Sequence, residues 1–122
     1  MATATCATLY IAQPGHLELT PVAVLLVDLV EDRLFVRFRN DIAQVVADED
    51  SREILSGYPE MLATWAGEVG GAALIKLLYE TLANFVRIGD LATIERPENC
   101  QSALDKLFFQ EMKSARVMGH YA

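Results

Sequence analysis

Three arginines lie close together in the segment RLFVRFR, at residues 33–39. Side chains two residues apart on a β-strand point to the same face, so Arg33, Arg37 and Arg39 form a stripe if this segment is a strand. Guanidinium groups bind carboxylates and phosphates through paired hydrogen bonds. One interpretation is an anion-binding site formed by Arg37, Arg39 and Arg87. The protein would then be a small-ligand-binding domain, or an enzyme whose sequence carries no clear catalytic motif. The other, more common for surface arginines, is that they pair with acids of the same chain.

The residues that would share this strand face are apolar, whereas a solvated face is mostly polar. Val24, Leu26 and Phe35 would lie beside Arg37 and Arg39 in a hairpin. Arginine and aromatic residues are enriched in protein interfaces. These five residues are therefore predicted to bind a second copy of the chain, as a homodimer, or another protein. The alternative is that helices of the same chain cover this face.

Other residue clusters do not predict a metal or another cofactor. Four carboxylates lie together in the sequence, at Asp48, Glu49, Asp50 and Glu53. They lack the glycine and the distal glutamate of a calcium loop, and a helix start favoured by the helix dipole explains them better. The two cysteines, Cys6 and Cys100, lack the CxxC spacing of zinc and redox sites.

No catalytic residue is predicted, and an enzyme is less expected than an interaction or regulatory domain. Cys100 lies near a predicted helix N-terminus, which can lower a thiol pKa, but no base is placed beside it, so a semi-buried cysteine is the plainer interpretation. The segment GEVGG, residues 67–71, lacks the lysine and hydroxyl residue of a phosphate loop and is predicted to connect two helices. Asn84, Arg87 and Asp90 either end a helix or line the edge of a pocket.

Composition limits the class of partner. The chain has 122 residues, 52% of them hydrophobic, which suits one core, and we predict a single domain at residues 1–113 with a flexible tail at 114–122. A net charge of −7 opposes binding to nucleic acid and anionic membranes. The longest apolar run, Val22–Val27, is too short to span a bilayer, and the N-terminus does not resemble a signal peptide. A soluble cytoplasmic protein is expected.

Three strands are predicted in the first third of the chain. Thr5–Ala12 is rich in strand-forming residues and precedes a Pro-Gly turn. Pro21 has no N–H to donate, so the dependable part of the second strand is Val22–Val30. The third strand is Arg33–Arg39, in which apolar residues alternate strictly with arginine and Phe35.

The second and third strands are predicted to pair as an antiparallel hairpin with Glu31 and Asp32 at its tip. The apolar face then consists of the pairs Leu29 with Leu34, Val27 with Val36, and Leu25 with Phe38. The other face consists of the pairs Val24 with Arg39, Leu26 with Arg37, and Asp28 with Phe35. Because a one-residue slip would bury arginines, burial should fix which residues share a face.

Helical patterns follow Asn40. They predict a short helix from Asn40 or Asp41, then Asp50–Leu55, a segment from Pro59 through Trp65, and Ala72–Phe85.

The chain then returns to the sheet at Val86–Glu95, where Gly89 and Asp90 predict a bulge or a turn. A last helix begins at Asn99 or Ser102. These elements predict an α+β fold with a three- to four-stranded, mainly antiparallel sheet. An N-terminal β-meander leads the order β-β-β-α-α-α-β-α, with the helices on one face.

Overall fold

The computed structural model of the protein describes residues 2–13, 15, 17–81 and 86–121, without the side chains of residues 81 and 113–121. The strands are β1 (Thr3–Ile11), β2 (Thr20–Asp28), β3 (Arg33–Phe38), β4 (Val86–Ile88) and β5 (Ala92–Glu95). The helices are α1 (Ile42–Val45), α2 (Glu49–Ser56), α3 (Tyr58–Val69), α4 (Gly71–Thr81) and α5 (Cys100–Tyr121). The predicted α+β class and the N-terminal meander are confirmed.

Within the described residues, the sheet has five antiparallel strands with β1 at its centre. The order is β3-β2-β1-β4, and β5 pairs with β1 further along the same edge as β4. Strands β4 and β5 therefore act as one strand that is interrupted between Ile88 and Ala92. This interruption contains Gly89 and Asp90, where the sequence predicted a bulge or a turn.

The β2–β3 hairpin has a different register from the predicted one. Leu25 pairs with Val36 and Val27 pairs with Leu34, so the strands are shifted by two residues. The turn spans four residues, 29–32, rather than two, and Leu29 lies in it, 41% exposed instead of in the core. A shift of two residues preserves which side chains share a face, so the rest of the apolar face was predicted correctly.

The sheet carries helices on both faces, and each layer has its own core. Leu9, Leu25 and Val27 pack with the helical layer α1–α4, which contributes residues such as Leu62, Leu74 and Leu78. On the opposite face, Ala4, Val24 and Leu26 pack with α5, which contributes Cys100, Leu104, Phe108 and Met112. The placement of all helices on one face was therefore wrong for α5. An apolar stripe shows that a helix is packed, but it does not show on which face.

A side-chain cap begins α5 as predicted and also begins α2, whereas Asp41, one of the two residues predicted to cap the short helix α1, makes no side-chain capping hydrogen bond. The Asp48 carboxylate accepts hydrogen bonds from the Ser51 N–H and hydroxyl at the start of α2. Asn99 caps α5 by accepting from the Ser102 N–H at 3.0 Å. The backbone of α5 continues to Tyr121, through the segment predicted as a flexible tail. The predicted end of the fourth helix, residues 82–85, lies outside the described residues.

Candidate functional site

Strand β3 is an edge strand whose outward backbone groups can be identified. The Arg39 N–H donates to the Val22 carbonyl at 2.9 Å, which makes residues 39 and 22 a hydrogen-bonded pair in the β2–β3 register. Such pairs alternate along an antiparallel ladder, so Arg37 and Phe35 also bond to β2. The N–H and C=O groups of the remaining residues point away from the sheet, and these residues are Leu34, Val36 and Phe38. Within the described part of the chain, β3 pairs only with β2.

Arg37 links strand β3 to helix α5 through one ion pair and two contacts with aromatic rings. Its Nη1 atom lies 3.0 Å from Oδ1 of Asp105, and its guanidinium carbon lies 4.3 Å and 4.9 Å from the ring centroids of Phe108 and Phe109. An ion pair this exposed contributes at most about 1 kcal/mol. The two ring contacts add to it by cation–π attraction. Arg37 is therefore engaged within its own chain rather than free to hold a ligand.

Arg39 and Arg87 do not join Arg37 in one pocket. Arg39 donates from Nε and Nη2 to the Asp41 carboxylate and from Nη1 to the Pro21 carbonyl, so it closes the connection after β3. Arg87 lies on β4, opposite Tyr10, three strand spacings away, or ~14 Å. Arg33 stacks on the Phe35 ring at 4.8 Å. The structure thus distributes the predicted anion-binding arginines over two edges of the sheet.

The five predicted interface residues divide into a buried pair and an edge group. Val24 and Leu26 are only 2% and 0% exposed, because α5 covers them. This is the alternative in which the chain's own helix covers the face. Phe35 and Arg37 lie on β3 and are partly exposed, and Arg39 follows directly. The interface role of this edge group stays a prediction.

Phe109 on α5 belongs with this edge group, although sequence analysis did not select it. It is 61% exposed, contacts Phe108 edge to face at 5.8 Å, and lies against Arg37. On α5, Phe108 is buried whereas Phe109 and Gln110 are exposed, and this pattern gives no signal that Phe109 contacts Arg37 on β3. Strand β3, Arg39 and Phe109 together form the β3 edge surface.

A cleft of about 300 Å³ opens on the α5 side of the sheet, away from β3. It lies between β1, the β4–β5 interruption and α5. Its lining residues are Cys6, Ala7, Thr8, Tyr10, Val24, Gly89, Asp90, Ala92, Leu107 and Glu111. A Cβ atom on Gly89 would lie 3.1 Å from the Tyr10 ring, so glycine permits this close approach. The sequence signal was the Gly89-Asp90 break, but its partners on β1 and α5 are far away in sequence.

The polar groups of the cleft are neutral donors next to carboxylates. Burial raises the pKa of the Tyr10 phenol; Glu111 raises it further, a side-chain hydrogen bond with Thr8 opposes the shift, and Asp90 adds to it. Burial and then Glu111 raise the pKa of the Cys6 thiol. Both groups are therefore protonated at neutral pH, and Cys6 is not an activated nucleophile.

Asp28 and Arg96 form an ion pair across the α5 side of the sheet. Arg96 donates from Nε and Nη2 to the two Asp28 carboxylate oxygens at 2.9 Å and 2.8 Å, and the Val30 N–H also donates to this carboxylate. Asp28 is only 1% exposed. Ala4 on β1 pairs with Asp28 on β2 and with Ile94 on β5, and Arg96 follows directly after β5. Sequence analysis had placed Asp28 opposite Phe35.

Cys100 lies near this ion pair. Burial raises the pKa of its thiol, and the negative charge of Asp28 adds to the increase, while Arg96 opposes it. A raised pKa disfavours the thiolate, so the structure supports the interpretation of Cys100 as a buried side chain.

The start of α4 is occupied by a side chain of the same protein. The Ala72 N–H donates to the Asp32 carboxylate at 2.8 Å, and the Gly71 N–H donates to the Asp32 carbonyl. Gly70 has a φ of +86°, and a Cβ atom there would overlap the Asp32 carboxylate. The GEVGG segment therefore brings the helix against the hairpin turn, and Asp32 takes the position of an external anion.

The described residues contain no group of three or more His, Cys, Asp or Glu side chains placed to hold a metal ion. None of the described helices is long and apolar enough to cross a membrane. The predicted polar residue Asn84 and the residue His16 lie outside the described residues, as does the side chain of His120.

Comparison of the chain with protein-family models, with curated proteins and with solved structures finds no match.

Proposed function

We propose that this protein is a non-catalytic interaction domain that forms a homodimer through the β3 edge surface. The observation that carries the proposal is the unpaired edge of β3, with the backbone groups of Leu34, Val36 and Phe38 directed outward. An exposed sheet edge is a template for another strand. Phe109 lies beside that edge and supplies an exposed aromatic side chain of the kind found at the centre of interfaces.

The occupant of this edge is inferred to be a second copy because one antiparallel register satisfies the edge of both copies. When Val36 pairs with Val36 of the second copy, Leu34 pairs with Phe38 and Phe38 with Leu34. These are three hydrogen-bonded pairs with two bonds each, so six bonds form in total. Centring the pairing on Phe35 leaves only the two Leu34–Val36 pairs, which make four bonds.

The side chains also favour the Val36-centred register. It places Phe35 opposite Arg37 of the second copy, so that a guanidinium group and an aromatic ring can attract each other by a cation–π interaction. Arg33 would face Arg37 in the Phe35-centred register and Arg39 in the Val36-centred register. Both of these arginines are already paired with an aspartate, so the preference rests on the Phe35–Arg37 contact and on the number of backbone bonds.

Helices on both sides of the edge are compatible with this arrangement. α5 packs on β2 and β3, and α3 and α4 pack on the other face of β3. In a continuous sheet, neighbouring strands lie ~4.8 Å apart, so the two α5 helices approach each other above the dimer axis. Phe109 would then be buried between them. The two free cysteines support a reducing, cytoplasmic location as part of this proposal.

The anion-binding alternative receives less support. Arg37 and Arg39 each bind a carboxylate of their own chain, and Arg87 lies on β4, at the other edge of the sheet. The described residues that line the cleft do not include a basic one.

Sedimentation equilibrium from low to high micromolar concentrations tests the dimer. The expected result is a monomer–dimer equilibrium that Phe109→Ser weakens at least about ten-fold, because each copy loses a buried aromatic side chain. Tyr79→Ser is the matched control, since Tyr79 is 51% exposed on α4 and makes no contribution to the β3 edge surface. A strict monomer, or an equal effect of both variants, would contradict the proposal.

A further inference from the structure

We propose that the cleft between β1, the β4–β5 interruption and α5 binds a small organic cation, a protonated amine with a short apolar chain. The inference does not rest on the proposed dimer. The cleft lies on the β1–β4 side of the sheet, whereas β3 forms the other edge. Dimerisation through β3 therefore leaves one open cleft in each copy.

The shape of the cleft suits a small molecule rather than a single ion. A volume of about 300 Å³ corresponds to roughly ten water molecules at ~30 Å³ each and is at the lower end of ligand cavities. Val24, Ala92 and Leu107 supply apolar surface to the lining. Such surface favours a ligand that carries a hydrocarbon part.

The polar part of the lining favours a cation. Asp90 and Glu111 contribute carboxylates, and Thr8 and Tyr10 contribute hydroxyl oxygens that can accept hydrogen bonds. An ammonium group has three N–H donors and no acceptor, so this set of groups complements it. The ion pairs Arg37–Asp105, Arg39–Asp41 and Arg96–Asp28 among the described side chains do not involve either carboxylate.

The lining also argues against an anionic ligand. The lining residues that the structure describes include no lysine or arginine. Arg87 on β4 pairs with Tyr10 on β1 in the sheet but is not one of these lining residues. Burial is the main cause of the raised pKa of the Tyr10 phenol, and both carboxylates add to it, which is the direction expected beside negative charge.

The test is an NMR titration of the full chain with three probes of equal chain length: n-butylammonium, butyrate and 1-butanol. n-Butylammonium is expected to shift the backbone amide signals of Thr8, Gly89 and Asp90 saturably, and to bind more tightly than the other two. Preference for butyrate would overturn the inference, and so would equal affinity for 1-butanol or the absence of saturable shifts at these residues.

Variants then test the two carboxylates. Glu111→Gln and Asp90→Asn should each weaken n-butylammonium binding about five-fold, the loss expected for one charge near the ligand in a solvated site. Glu60→Gln on α3 is the matched control, because it makes the same change in net charge on the opposite face of the sheet. If Glu60→Gln weakens binding as much as Glu111→Gln, the charge acts at long range and the assigned site is wrong. Circular dichroism of each variant verifies folding.

Discussion

Proline substitutions at two adjacent residues of β3 should differ in how much they destabilise the monomer. Proline removes one backbone N–H, so its cost depends on where that N–H points. The Val36 N–H is directed away from the sheet, and the Phe35 N–H is directed to Leu26 on β2. Val36→Pro therefore removes no hydrogen bond within the monomer, whereas Phe35→Pro removes a ladder bond and leaves a buried carbonyl without its donor.

The magnitudes follow from this difference. Alanine at the same residue serves as the reference, because it removes the side chain but keeps the N–H. Relative to alanine, proline at residue 36 should change the free energy of unfolding by no more than about 1 kcal/mol, since edge positions tolerate it. At residue 35 the same comparison should cost about 2 kcal/mol or more, from the lost bond and the unsatisfied buried carbonyl of Leu26.

Urea denaturation followed by circular dichroism measures these differences at protein concentrations where the chain is monomeric. Val36→Pro should also abolish dimerisation in sedimentation equilibrium, because it removes the central pair of intermolecular bonds. Equal costs of proline at residues 35 and 36, or the reverse order, would refute the assignment of outward groups on β3.

Three further predictions concern the fold that presents these surfaces. Gly70→Ala should lower the free energy of unfolding by at least about 1 kcal/mol because of its positive φ, whereas Gly67→Ala, in open space within α3, should raise it by about 0.5–1 kcal/mol; urea denaturation measures both. Arg96 lowers the pKa of Asp28, so the pair stabilises the protein above the ordinary aspartate pKa and this stability is lost as pH falls through the folded pKa. Urea midpoints measured against pH should therefore fall less steeply on the acid side in Asp28→Asn, which should also be less stable at neutral pH; an unchanged acid slope would contradict this. Leu26→Asp should prevent folding rather than merely block association, since the new carboxylate would lie under α5, and a folded variant in circular dichroism would be contrary to the structure.

The fold class followed from the sequence because its signals are local. Strict alternation at residues 33–39 identified β3 and both of its faces, since the side-chain period of a strand is two. The alternation of residue types could not predict the pairing register of β2 and β3, because that register is set by the turn between them. The four-residue turn depends on the positive φ of Asp32 and on the Asp28 carboxylate, which accepts from the Val30 N–H.

The position of α5 and the cleft depended on contacts between distant segments. Both faces of the β2–β3 hairpin carry apolar residues, which is typical of a sheet covered twice, and this was the available signal for a second helical layer. The cleft combines side chains from β1, the β4–β5 interruption and α5, and nothing in the sequence places Tyr10 next to Glu111. The stripe of arginines was identified correctly as a stripe, but only the structure shows that Asp105 and Asp41 are the partners of Arg37 and Arg39.

Amide hydrogen exchange along β3, measured by NMR at several protein concentrations, tests the proposed edge-to-edge dimer most directly. The amides of Leu34, Val36 and Phe38 should exchange rapidly in dilute solution and become protected as the concentration rises. Those of Phe35 and Arg37 should be protected throughout, because they bond to β2. Exchange of the first three amides that stays rapid at every concentration would contradict the proposed dimer.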